Sequence, residues 1–328
     1  MTRGCRIAKL VRRMSGKIKI RLMGAIAVVT TAFLCGCAAS HKTAVKPSGA
    51  PVQLQTATKA QLIAEYNRQA DAITSVNARV TMKLTAGAAY TGFIEQYHEI
   101  NGFVLAEKPT EIRVIGQAPV VGTNIFDMTS DGKTFRIFIP SKNEFVTGPA
   151  NLERTAAKPI ENLRPQHLLD AIFWHAIPAK APVLLEEAAG TDGAAGRYYV
   201  LTVVRAARAA DPADWEIASR IWFDRADLNV SRVEIYEPSG ALGTDAQYSH
   251  WDTFGAQKYP RGIDLVRPAG NYELQIGIQK LTLDEPIAAE HFVLEQPQGT
   301  KLVREGEGDG TTEQAPAGAA GGAKEPQP

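Results

Sequence analysis

The 328-residue chain reads as a mainly β protein: a long antiparallel sheet with an N-terminal helix and one apolar helix packed in its mouth. Three observations predict this. Apolar and polar residues alternate with period two in short runs from residue 79 onward, and turn residues bound those runs. Only two segments carry a helical period. Ten or more antiparallel strands are too many for a flat sheet, so the array curls.

The first helix is predicted over 58–75. Leu62, Ile63, Tyr66, Ala70 and Ile73 share a face there, and Thr58 is placed to cap it. Over 79–85, Val80, Met82 and Leu84 alternate with Arg79, Thr81, Lys83 and Thr85, the pattern of a half-buried strand. Further strands are predicted at 90–99, 102–106, 110–116, 122–129, 133–139 and 144–147. Lys108-Pro109 and Asp131-Gly132 supply turns between them. The second helix spans 165–176, with Pro165 in its first turn and Leu168, Leu169, Ile172 and Phe173 as its buried stripe. Strands resume at 183–187, 197–206, 215–224, 230–237, 245–254, 262–267, 271–283 and 291–295. Tyr272, Leu274, Ile276 and Ile278 alternate with Glu273, Gln275, Gly277 and Gln279 in the clearest of them. A curled sheet with a helix in its mouth encloses an apolar cavity, a place for a hydrophobic ligand.

Both ends of the chain differ from this body. Residues 1–36 hold eight cations and no acid, so the rest of the chain carries −7 against +1 for the whole. Without a basic surplus, nucleic acid is excluded as a partner of the body. The basic stretch leads into thirteen mostly apolar residues, Leu22–Leu34, too short to span a bilayer and of secretory-signal type. Leu34-Cys35-Gly36-Cys37 resembles the bacterial lipobox. That resemblance implies cleavage before Cys37, lipidation of its thiol and a membrane anchor, with 1–36 as signal peptide. Ala38 stands where aspartate would retain such a protein at the inner membrane, so the periplasmic face of the outer membrane is favoured, with the inner membrane as the alternative. Residues 37–57 read as a flexible tether, 58–303 as the folded domain and 304–328 as a disordered Gly/Ala/Pro-rich tail.

No catalytic constellation is visible. The three cysteines all lie within the first 37 residues, so the body has no thiol nucleophile and no disulfide. The six histidines show no metal-ligand spacing, and GxSxG, GxGxxG and Walker patterns are absent from the body. The expectation is a binding protein without enzyme activity, catalytic residues, metal or cofactor.

Three segments resemble the LolA/LolB-like lipoprotein localisation family: Glu107-Lys108-Pro109-Thr110-Glu111-Ile112-Arg113, Ser130-Asp131-Gly132-Lys133-Thr134-Phe135 with Pro140 beyond it, and Phe292-Val293-Leu294-Glu295-Gln296-Pro297-Gln298-Gly299. The resemblance implies an unclosed antiparallel β-barrel, an eleven-stranded half barrel capped by helices. Its apolar cavity would take the acyl chains of lipoproteins or lipids and pass them on without covalent change. It assigns Leu168, Leu169, Ile172 and Phe173 to cavity and lid. Lys108 stands where the family's carrier has a latching arginine, and Val120 and Val121 match a loop that enters the membrane; the alternative is that the two valines pack in the sheet or under the helix. A soluble periplasmic carrier protein is an implied partner. The alternative is an envelope-stress sensor or adaptor that uses the same fold to bind protein.

Overall fold

The computed structural model describes residues 53–87, 95–151, 162–190, 197–208, 211–306 and 312–314. The expected signal peptide, Cys37, most of the expected tether and most of the expected tail lie outside these, as does the first half of the strand expected at 90–99.

Two α-helices are present among the described residues, α1 (Lys59–Ala72) and α2 (Pro165–Ile172). Between them come β1 (Ser75–Ala86), β2 (Glu95–Gln96), β3 (Ile100–Glu107), β4 (Glu111–Gln117), β5 (Asn124–Ser130), β6 (Thr134–Ile139) and β7 (Glu144–Pro149). After α2 follow β8 (Val183–Ala188), β9 (Tyr198–Arg208), β10 (Asp211–Asp224), β11 (Val230–Tyr236), β12 (Leu242–Phe254), β13 (Gln257–Arg267), β14 (Tyr272–Leu283), β15 (Lys301–Arg304) and β16 (Thr312–Gln314).

All sixteen strands belong to one sheet. Its order is β16-β15-β7-β6-β5-β4-β3-β1-β14-β13-β12-β11-β10-β9-β8, with β2 beside β1. Strand β1 is the spine. It pairs β3 on one side, Ser75 opposite Glu107, and β14 on the other, Val76 opposite Leu283. Neighbouring strands are antiparallel except β15, which runs parallel to β7. The sheet is open, because β16 and β8 end it without meeting.

One face of this sheet carries the core. Alternate residues of β1 from Val76 to Ala86 are buried, as period two requires. They continue into Val104, Ile112 and Met128 on one wing and Ile276, Ile263 and Tyr248 on the other. Helix α2 touches β4 and β5 as well as β12 and β13, from opposite sides of the spine, so the two wings curl around it. Helix α1 lays Leu62, Tyr66 and Ala70 on the same face. Its start is closed by a capping box: Thr58 accepts from the Gln61 amide, and the Gln61 side chain accepts from the Thr58 amide.

Three expectations are corrected. The strand expected at 291–295 is a 3-10 turn, Ala289–Phe292. Side chains on the outer face of the sheet hold this segment instead: Arg113 donates to His291 O (2.9 Å) and Thr129 to Phe292 O (2.8 Å), which ties it across the strands rather than along a strand edge. The chain forms its last long-range strand later, at β15, across the boundary drawn between domain and tail. Helix α2 ends at Ile172, four residues early, with Phe173 already extended. The sheet also has more strands than the eleven of the half barrel.

Gly132, at the β5–β6 turn, has φ +83°, and a Cβ there would come within 2.5 Å of the Thr110 side chain. Gly132→Ala is expected to cost about 1–3 kcal/mol of stability, read from the urea midpoint.

Candidate functional site

Helix α2 carries the predicted lid residues. Leu168, Leu169 and Ile172 are buried on it, and Phe173 is buried just beyond its end. Pro165 suits the first turn because its missing N–H would have no intrahelical partner there. The last carbonyls of so short a helix lack amide partners. Two tyrosines of the facing wing supply them: Tyr248 Oη donates to Ala171 O (3.0 Å) and Tyr259 Oη to Ile172 O (2.9 Å). Both hydroxyls are fully buried, and desolvation raises their pKa above the ordinary tyrosine value.

Beyond α2 the chain tucks inward. Trp174 stacks on Tyr66 at 5.7 Å between ring centroids, meets Tyr248 edge-on at 5.5 Å and lies 5.6 Å from Trp251. This cluster fills the space beneath the helix. Asn67 of α1 then fixes the outgoing chain, donating to Ile177 O (3.0 Å) and accepting from Ile177 N (2.8 Å).

Further polar contacts hold α2 in place. Gln166 Nε2 reaches Thr110 O (3.1 Å) and Ser130 Oγ (2.7 Å). His167 Nδ1 shares a hydrogen bond with Tyr272 Oη (2.7 Å). Arg164, at the N-cap, pairs with Glu305 at 2.6 Å and lies 4.7 Å over the Phe135 ring.

Lys108 stands at the turn from β3 to β4. Its ammonium donates to Ala70 O at the end of α1 and sits 5.3 Å over the Phe173 ring. It thus touches α1 and the chain just past α2 at once. Burial lowers its pKa, while Asp71 and Asp284 oppose that shift. Beside it opens a cleft of about 480 Å³. Leu169, Phe173, Trp174 and Pro109 give it apolar walls, and Asp71 and Asp170 line it with carboxyls. Burial raises the Asp170 pKa, although His175 and Arg267 pull it down.

Val120 and Val121 lie elsewhere. They form the tip of the β4–β5 hairpin, 95% and 73% exposed. The tip closes through Ala118 N to Thr123 O (2.9 Å) and Gly122 N to Ala118 O (3.0 Å). Lys108 and this tip stand at opposite ends of β4, seven residues long, or about 23 Å at about 3.3 Å per residue. The structure therefore joins Lys108 with Leu169 and Phe173, seats Leu168 and Ile172 in the core, and sets the two valines apart. Sequence reasoning missed Tyr248, Tyr259 and Gln166 as partners of α2, and Asn67 as the partner of the chain beyond it. A period-two pattern marks inward positions but does not reveal which of them meets a helix end. Among the described residues no group of His, Cys, Asp or Glu could hold a metal, and no helix is long and apolar enough to cross a membrane.

The fold is similar to several solved structures. One is a LolA superfamily protein from Nitrosomonas europaea, 11% identical over 73% of this chain and 99% of that one, with a TM-score of 0.44. Another is a DUF1329 family protein from Desulfovibrio piger, 13% identical over 71% and 94%, TM-score 0.45. A third is a domain assigned to outer membrane lipoprotein sorting from Vibrio parahaemolyticus, 11% identical over 70% and 94%, TM-score 0.39. No family model and no curated protein matches the chain.

His167 yields a pH prediction. Burial first, then Arg267 and Arg164, lower its pKa from 6.5 to about 3, so it is neutral in the folded protein. Below pH 6.5 the unfolded chain takes up a proton that the folded one refuses, so acidification toward pH 3 removes stability. His167→Gln is expected to flatten the dependence of Tm on pH below 6.5. An unchanged slope would show that His167 is not held neutral.

Proposed function

We propose that this chain is a lipid-anchored protein of the bacterial envelope that binds acyl chains of lipoproteins or lipids beneath α2 and assists their transfer to, or insertion into, the outer membrane. The observation that carries this reading is the arrangement of α2: a short apolar helix held over the apolar face of an open sheet by a few side-chain hydrogen bonds, with a cleft along its flank. Such a helix can be exchanged for a ligand of similar character. Leu168, Leu169, Ile172, Phe173 and Trp174, at about 2 kcal/mol each, hold it with about 10 kcal/mol of burial. An acyl chain of about sixteen carbons, at about 0.8 kcal/mol per methylene, brings about 12 kcal/mol. The near balance suits a protein that must give its ligand up, and the step requires no bond to be made or broken.

Lys108 acts in this reading as the latch, touching both α1 and Phe173. Lacking the planar fork of arginine, it holds by one point charge. Cys37 carries the lipid anchor, and two or three acyl chains there bind a bilayer far more firmly than one. Val120 and Val121, exposed at a hairpin tip, enter the acceptor membrane. The donor is a soluble periplasmic carrier protein.

The test is uptake of a fluorescent fatty acid or a purified lipoprotein by the mature chain. Uptake should saturate at one ligand per protein, and Phe173→Ala, checked for folding by circular dichroism, should strengthen it about tenfold or more, because the truncated side chain no longer holds α2 against the ligand. Unaltered affinity in a folded variant would remove α2 from the site. A second measurement concerns delivery. Cys37→Ala should move the protein from the membrane fraction to the soluble one. Val120→Asp with Val121→Asp should leave it membrane-bound but slow the passage of cargo into vesicles. Equal transfer rates would discard the loop.

A further inference from the structure

Tyr248 and Tyr259 have a role that the lid alone does not require. Each buried hydroxyl donates to a carbonyl at the end of α2, Ala171 O and Ile172 O. If α2 lifts, those carbonyls gain water as a partner. The hydroxyls remain on β12 and β13, inside an apolar wall formed with Ile263, Leu265 and Trp251. A buried donor without an acceptor is costly. Whatever replaces the helix must therefore bring acceptor oxygens as well as apolar bulk.

Resting on the acyl-binding reading above, we propose that Tyr248 and Tyr259 are specificity-determining residues: they recognise the carbonyl oxygens of the ligand, so that the site selects ester- or amide-linked acyl chains over plain hydrocarbon or ether-linked chains. The peptide carbonyls of Ala171 and Ile172 stand in for acyl carbonyls while the site is closed. Trp174, stacked on Tyr66 and set against Tyr248 and Trp251, stands in for the apolar chain. The segment from Ala171 to Trp174 is then an internal substitute for the ligand, offering the same kinds of groups: carbonyl acceptors and apolar bulk.

The experiment uses the mature full chain loaded with a fluorescent fatty acid. Dipalmitoylglycerol and dihexadecylglycerol, which share chain length but differ in carbonyl oxygens, compete for it. The diester is expected to displace the probe about tenfold or more better than the diether. The double variant Tyr248→Phe with Tyr259→Phe keeps both rings and should bring the ratio close to one, mainly by gaining affinity for the diether, which no longer strands a buried donor. Hydrogen exchange at the Phe173 and Trp174 amides should quicken when the diester binds. Equal displacement by the two lipids, a preference unchanged in the double variant, or unaltered exchange would each overturn this inference while leaving acyl binding in place. Failure of the wild-type chain to take up the fatty acid would overturn the acyl-binding reading, and this inference with it. A purely structural role for the tyrosines would lower stability in the double variant without moving the ratio.

Discussion

The constraint on which the rest of the structure depends is an apolar face that the open sheet cannot cover by itself. A closed barrel buries its inner face through its own curvature, but a sheet ending at two separate edges leaves that face to be covered by something else. Helices α1 and α2 do this work unequally. The first is fourteen residues long and closed by a capping box. The second has eight residues, no side-chain cap at its start, and an end completed by side chains from β12 and β13. Helix α1 thus closes its start within its own sequence, whereas both ends of α2 depend on residues from elsewhere in the chain.

That asymmetry directs the chemistry. The polar atoms that hold α2 come from the β3–β4 turn, from β5, from the far wing and from Glu305 beyond β15, and Asn67 of α1 fixes the chain beyond it. Each bond contributes modestly, and most exchange a protein partner for water on opening. The buried tyrosine hydroxyls are the exception, since they stay inside the apolar wall. Lys108 lies where several of these supports meet, beside the cleft, with its charge disfavoured by burial and sustained by two aspartates.

The outer face obeys different rules. It is held by fork-shaped ion pairs such as Arg113–Asp127 and Arg232–Asp245, which bridge neighbouring strands. Arg113 also draws the chain after β14 across that face, which explains why residues 291–295, apolar and strand-like in isolation, form a turn. Local alternation there was outweighed by side chains of β4 and β5 that hold the segment across the sheet.

Read alone, the sequence determined most of the strands, both helices and the inward stripe of α2, because each follows from a period of two or 3.6 along a few neighbouring residues. It also determined the location of every cysteine. Tertiary structure alone decided where α2 stops, which tyrosines meet its end, and that Trp174 stacks on Tyr66 beside Tyr248 and Trp251. These depend on residues such as Ala171 and Tyr248, 77 positions apart, brought together by the curl of the sheet. Periodicity shows which face of an element turns inward, but not what waits for it there.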